Sequence, residues 1–298
     1  MSAVTTVSLH SLNTADKAGF TAALGEIYEH APWVAEAVHG QRPFASLAAL
    51  HEAMVSAVRA APAEQRMALL KGHPDLAGKA ARAGAVTSDS KAEQASAGLD
   101  RLSEAEYANF HRLNDAYRAK FGIPFIVCAR RHSKDSILRH FEHRLQNSVT
   151  AEPKAALNEV FRIAALRLDQ RVEAPDKLKV HGRLSTHVLD THAGHPAAGV
   201  KIELAELAAH GGPRAIASGT TNLDGRTDHP FISRRPIPIG RYELRFHVGE
   251  YFTRRGAPQS DPPFLDVVPV RFDVAEPESH YHVPLLVTPW SYSTYRGS

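Results

Sequence analysis

The hydrophobic period of this chain changes once, near residue 175, and that change limits what the chain can fold into. Before it, apolar residues recur at helical spacing, as in Leu157, Val160, Phe161, Ala164 and Leu168. After it they alternate. Val200, Ile202 and Leu204 are separated by Lys201 and Glu203, and Tyr242, Leu244 and Phe246 follow Arg241, Glu243 and Arg245 in turn. A 3.6-residue period buries one stripe of a helix, whereas a two-residue period buries one face of a sheet. The sequence therefore predicts two domains: an all-α helical bundle over residues 1–172 and an all-β sandwich over 181–298. The polar, proline-containing segment 173–180 is the expected linker.

Local signals agree with this division. The first part is rich in Ala, Leu, Glu, Arg and Lys, the strong helix formers. Pro62 reads as a first-turn proline and Gly72 as a closing glycine. Ser90-Lys-Ala-Glu93 and Ser103-Glu-Ala-Glu106 both match the capping box, and a long helix is expected from about Pro153 to Gln170. In the second part, Thr191-His-Ala-Gly194, Asn222-Leu-Asp-Gly225 and Pro238-Ile-Gly240 are turn clusters between short strands. Residues Glu250 to Arg254 read as one helical excursion.

Composition excludes several functional classes. Over 298 residues, a hydrophobic fraction of 43% and a charged fraction of 22% describe a globular chain rather than a disordered one. The formal charge is only +3, and its arginine pairs (Arg130-Arg131, Arg234-Arg235, Arg254-Arg255) are scattered. Nucleic-acid binding calls for a clustered basic face, so no nucleic-acid partner is expected. No apolar stretch approaches the ~20 residues of a membrane span. The single cysteine, Cys128, rules out an intrachain disulfide and lies in the apolar run Ile126 to Ala129, where it reads as a buried thiol. With no secretory pattern at the N-terminus, a reducing cytoplasm is the expected location.

Three places in the β half gather side chains with chemistry. They are Leu184-Ser-Thr-His187-Val-Leu-Asp190, the turn Asp224-Gly-Arg226, and the segment His280-Tyr-His282 through Tyr295-Arg-Gly-Ser298. His280 and His282 share a face if the segment is a strand. Histidine can deprotonate water near neutral pH, and a guanidinium offers a planar fork to a developing oxyanion. The same three histidines could instead hold zinc. Together these motifs resemble the 5-hydroxyisourate hydrolases, the enzymatic branch of the transthyretin-like sandwiches, over residues 181–298. The resemblance implies His187 and His282 as catalytic residues, Arg226 and Tyr295 as substrate-binding residues, no metal, and a tetramer formed through this domain. Trp290-Ser291 replaces the family's more usual Tyr-Gly.

In the helical half the notable residues fall between helices: Gly72-His-Pro-Asp-Leu-Ala-Gly-Lys79, Ser90-Lys-Ala-Glu-Gln94 and Phe121-Gly-Ile-Pro-Phe-Ile-Val-Cys-Ala-Arg130. With Phe20 to Trp33 upstream, they resemble the all-helical decarboxylases of 2-oxo-4-hydroxy-4-carboxy-5-ureidoimidazoline (OHCU), over roughly residues 10–170. Ile123 stands where that family often has phenylalanine. The resemblance implies His73 as the catalytic acid and Glu93 as a second catalytic residue. Pro74, Ser90, Lys91, Ala92 and Gln94 would bind substrate, as would Phe125, Ile126, Val127, Cys128 and Ala129 through their backbone. Arg167 would meet the substrate's charge. No cofactor is implied, because a neighbouring carbonyl or imine can hold the electron pair that decarboxylation leaves. Dimer contacts through this half are also expected.

The two resemblances together imply consecutive steps of urate degradation: opening of 5-hydroxyisourate to OHCU, then decarboxylation to (S)-allantoin. Two other readings of the chain are a transthyretin-like carrier with a helical partner-binding domain, and an enzyme in which only one domain is active.

Overall fold

The computed structural model describes residues 6–78, 86–209 and 212–297, so Lys79 and Ser298 of the motifs above lie outside the described residues. The chain divides into two compact units, Met1–Arg130 with Ser136–Val180, and Arg131–Asp135 with His181–Ser298.

The first unit is helix-rich but not purely helical. A two-residue parallel ladder joins β1 (Val7–Ser8) to β2 (Val172–Glu173), with Val7 opposite Val172. Pattern reading misses so short a pair because two residues carry no period. The helices Leu47–Ala60, Ala63–Lys71, Ser88–Ser96, Glu104–Phe121 and Glu152–Arg171 surround a core that includes Phe20, Leu50, Met54, Phe110, Val160 and Leu168. Ser103 and Glu106 form the complete reciprocal capping box. The segment read as a linker is tied down instead. Asp176 accepts the Leu47 amide at 3.0 Å, and Asp169 accepts the Leu178 amide at 2.8 Å. Two carboxylates satisfying otherwise orphaned amides bind this polar stretch to the helical unit.

Two local expectations fail. Pro62 is the residue before the helix Ala63–Lys71 and not in its first turn, while Gly72 does close that helix, with a right-handed φ of −70°. Ser90 does not cap a helix: the helix starts at Ser88, and the Thr87 hydroxyl accepts the Ser90 amide at 3.3 Å. Thr87, extended at ψ 155°, leaves the helix path and caps, whereas Ser90 already lies within the first turn.

The second unit is a sandwich of two sheets. One runs in the order β11 (Tyr292–Thr294), β10 (His280–Val287), β3 (Gly182–Asp190), β4 (His195–Pro196), with β7 (Ile232–Arg235) also paired to β3. The other runs β6 (Arg214–Thr220), β5 (Lys201–Leu207), β8 (Gly240–His247), β9 (Val267–Val274). Leu184, Val188 and Leu285 from the first sheet share one apolar core with Leu204, Leu244 and Phe246 from the second. Alternation then places the other residues of β3 and β10 on the outer face. The expected helical excursion is present and longer, Val248–Arg255.

Candidate active sites

In the helical unit the site forms where one helix ends. The helix Ala63–Lys71 leaves its last carbonyls without intrahelical partners. The His73 ring satisfies one of them, its Nδ1 lying 2.9 Å from the Leu69 oxygen. A carbonyl only accepts, so Nδ1 carries the hydrogen and the neutral ring keeps its lone pair at Nε2. Burial drives the His73 pKa down to about 4, and Arg167 and His30 add to the fall; the Leu69 bond and the Glu29 charge oppose it. Near neutral pH this ring is therefore uncharged.

His73 lines a cavity with Pro74, Leu76, Ser90, Glu93, Gln94, Ile126, Val127, Ala129, Ile163 and Arg167. Ser90, Glu93 and Gln94 lie three and four residues apart and so share one helix face. Lys91 and Ala92 fall on the opposite face, exposed and away from the cavity. Of the apolar run, Ile126, Val127 and Ala129 reach the wall. Phe125 is instead stacked on Phe141 in the core, with ring centroids 3.8 Å apart. The Cys128 thiol is buried, as expected, and the Cys128 amide donates to Glu159 at 2.9 Å. The Ile126 carbonyl accepts from Arg144 at 2.5 Å. These bonds hold the run in place and engage two of the backbone groups expected to face substrate.

Arg167 is 4% exposed and already paired. Its Nε and one terminal nitrogen hold both Glu93 oxygens, at 2.8 and 2.9 Å, and the same terminal nitrogen reaches Glu29 at 2.9 Å. Such bidentate pairing aims a carboxylate rather than merely neutralising it. It also removes the capping alternative for Glu93, whose carboxylate is committed to Arg167. Glu29, which sequence reading missed, is buried at 3% exposure and accepts from Thr87 at 2.7 Å and from Ser90 at 3.0 and 3.1 Å. Burial raises its carboxyl pKa, but the Arg167 charge and the hydroxyl and guanidinium bonds outweigh that and hold it below the ordinary value. The sequence did carry a signal: a glutamate in the apolar run Ile27 to Trp33 needs a cation.

In the β unit the site lies on the outer face of the five-stranded sheet. β10 pairs in parallel with β3, setting His282 opposite Ser185 and Pro284 opposite His187. Ser185 and His187 are two apart, as are His280 and His282, so all four project on one side. The Ser185 hydroxyl lies 2.8 Å from His280 Nε2 and 3.0 Å from His282 Nδ1. The tail continues the ladder, with Thr294 opposite Leu285 and Gly297 bridged to His282, which sets Tyr295 opposite Pro284. Across β3, the Gly225 carbonyl accepts the Val188 amide at 2.8 Å, so the turn carrying Arg226 is fastened beside His187. At Gly225, φ is +70° and a Cβ would meet the Val188 oxygen at 2.3 Å, so only glycine fits.

His187 and His282 are both held neutral. Burial, then the Arg226 guanidinium, lowers each pKa, and His187 and His282 therefore lie within reach of the same positive charge. His187 Nε2 is buried with no hydrogen-bond partner among the described residues. No group of three His, Cys, Asp or Glu among the described residues is placed to hold a metal ion. Tyr295 and Arg226 are exposed, and the site is an open face rather than a closed cavity.

Comparison with known proteins matches the OHCU decarboxylase family model to residues 13–169 and the HIUase/Transthyretin family model to residues 184–297. The 2-oxo-4-hydroxy-4-carboxy-5-ureidoimidazoline decarboxylase of Halalkalicoccus jeotgali is 43% identical over 56% of this chain and 93% of its own. The 5-hydroxyisourate hydrolase of Deinococcus radiodurans is 55% identical over 40% of this chain and 98% of its own. A crystal structure of (S)-allantoin synthase is 35% identical, covers 98% of this chain and 100% of its own, and superposes with a TM-score of 0.54. The chain therefore belongs to the OHCU decarboxylase family through its helical half and to the HIUase/transthyretin family through its β half.

Proposed function

We propose that the chain catalyses two consecutive steps of urate degradation, hydrolysing 5-hydroxyisourate to OHCU in the β unit and decarboxylating OHCU to (S)-allantoin in the helical unit. The observation that carries this reading is the presence in one chain of two sites that set histidine beside arginine: His73 and Arg167 lining one cavity, and His187 and His282 beside Arg226.

In the β unit, a neutral His187 or His282 takes a proton from water as the water oxygen adds to the ring carbonyl. Arg226 meets the oxyanion that forms, and Tyr295 lines the same face. The ring carbon–nitrogen bond then breaks, the nitrogen takes a proton, and a carboxylate remains. The outer-face position of these groups favours a carrier less than an enzyme, because a ligand carrier has no need of two histidines held uncharged. Leu223 is 88% exposed and Tyr295 58% exposed beside this face. In this reading copies assemble through the β unit, as a tetramer, with dimer contacts through the helical unit.

In the helical unit, loss of carbon dioxide leaves an electron pair that spreads onto the adjacent ring imine, whose nitrogen takes up a proton from solvent. His73, neutral and fixed by Leu69, takes the substrate's 4-hydroxyl proton at Nε2 and returns a proton to the neighbouring carbon on one face. It thus acts first as a base and then as the acid that the family resemblance implies. Glu93, aimed by Arg167, accepts ureido N–H groups with Ser90 and Gln94 beside it, and Pro74 and the backbone of Ile126 to Ala129 close the wall. Lys91 and Ala92 contribute as part of the helix that carries Ser90 and Glu93. The one free cysteine is buried, which suits a reducing cytoplasm.

The test is to add freshly made 5-hydroxyisourate and follow ultraviolet absorbance and circular dichroism. Two successive accelerated phases ending in one allantoin enantiomer are expected. A first phase at the spontaneous rate would refute the hydrolase assignment, and a racemic product would refute the decarboxylase assignment.

A further inference from the structure

The hydrolase face contains a three-member chain of which the mechanism above uses only His282. Ser185 Oγ sits between His280 Nε2 at 2.8 Å and His282 Nδ1 at 3.0 Å. A hydroxyl has one hydrogen, so it donates to one of these nitrogens and accepts from the other. The tautomers of the two rings are thereby linked. For His282 to offer a bare Nε2, its Nδ1 must carry the hydrogen and donate to Ser185. Ser185 must then donate to His280, whose Nε2 must be bare.

We propose that Ser185 and His280 are positioning residues that set the tautomer of His282, so that His282 acts as a base only while His280 is uncharged. A proton on His280 Nε2 turns that nitrogen into a donor to Ser185. The serine hydrogen then points at His282 Nδ1, and the neutral His282 must hold its own hydrogen at Nε2, where it can no longer accept one from water. The parallel register builds this arrangement, since it sets Ser185 opposite His282 and Arg183 opposite His280. His280 is exposed, so it takes up or loses a proton with the solvent.

The surrounding charges favour the active form. Burial and Arg183 lower the His280 pKa, while burial, Arg226, His280, His187 and Arg183 lower that of His282. From the tail, Arg296 is turned towards Glu276 at 3.5 Å. A wrong tautomer is costly: in serine proteases the corresponding error lowers kcat by up to ~10⁴.

This inference rests on the hydrolase reading, and its test is kept separate from that reading by using wild-type turnover as the reference. The measurement is kcat against pH for the full chain and three variants. His280→Gln offers Ser185 an uncharged acceptor and is expected to stay within about threefold of wild type, with an acid limb that is less steep. His280→Arg presents a permanent donor at the same exposed position and is expected to lose on the order of 10² at every pH. Ser185→Ala breaks the link and is expected to lose at least about tenfold and to make the His280 substitutions equivalent. Circular dichroism of each variant checks that the strand is intact. Equal rates for the Gln and Arg variants at all pH values would overturn the proposal. If wild type itself showed no turnover above the spontaneous rate, the hydrolase reading would fail instead.

Discussion

The two sites meet the same chemical need, an uncharged histidine with a known tautomer, by opposite means. In the helical unit the partner is main chain: His73 Nδ1 bonds the Leu69 carbonyl, and the ring is 7% exposed. In the β unit the partner is a side chain, Ser185, on the open outer face of a sheet. A main-chain carbonyl cannot change role, so His73 is fixed once the helix is folded. A hydroxyl can reverse, so His282 depends on what lies beyond it. The helical site also carries a buried ion network, Glu29 with Arg167 and Glu93, whereas the cations of the β site, Arg226 and Arg183, are exposed. Depth gives the first site independence from its surroundings; the second trades it for access.

The largest test of that contrast is His73→Ala. Removing a general acid or base costs ~10²–10⁴ in rate, or roughly 3–5 kcal/mol of barrier. We expect the decarboxylase phase to fall by at least ~10² while the hydrolase phase keeps its rate, both read from one reaction trace. Equal loss of the two would mean that the sites are not independent.

The pH dependence separates burial more finely. His73 has a folded pKa of about 4, and unfolding returns it to the ordinary value near 6.5. Between those values the unfolded chain binds a proton that the folded chain refuses. Stability from this group is therefore complete above pH 6.5 and is lost as pH falls towards 4, by about 3 kcal/mol in all. Denaturant melts of His73→Phe, an uncharged ring that cannot titrate, should show less of this acid loss than wild type. The activities should part in the same window. His187 and His282 are less buried than His73, so protonation should end hydrolase turnover at a higher pH than it ends decarboxylation. A decarboxylase limb at or above the hydrolase limb would break the comparison.

How much of this was legible in the sequence follows from which interactions are local. Period alone separates the two folds, because alternation such as Val200, Ile202, Leu204 has only one buried solution. Motif reading names His73, Ser90, Glu93 and Gln94, and the fold sets all four around one cavity. It cannot separate Lys91 and Ala92 from them, since a motif carries no rotation about the helix axis. Glu29 escapes for a different reason: its partner Arg167, which motif reading did name, lies 138 positions away, and the two meet only through tertiary packing. Ser185 was in view between Leu184 and Thr186, but its link to His280 and His282 needs the register of β3 on β10. The capping motif at Ser90 misled because a second hydroxyl, Thr87, stands one turn earlier and takes the helix start, while both hydroxyls donate to Glu29.

The smallest expected effect probes how tightly the tail sets the open site. Gly297 donates its amide to the His282 carbonyl at 2.8 Å, and a Cβ there would lie 2.7 Å from His282 Cδ2. The strain of Gly297→Ala falls on that contact, and the contact is a side chain that can turn. Turning an imidazole about 30° from its rotamer costs ~0.5–1.5 kcal/mol, so hydrolase kcat should fall by between about twofold and tenfold. The melting temperature should stay within a degree or two, because the core residues Leu285 and Val287 keep their places beneath the strand. Decarboxylation, resting on His73 and the cavity of the helical unit, should not change. A variant that keeps full hydrolase rate would mean that the His282 ring position is not set by the tail. One that also slowed decarboxylation would mean that the two sites share more than a chain.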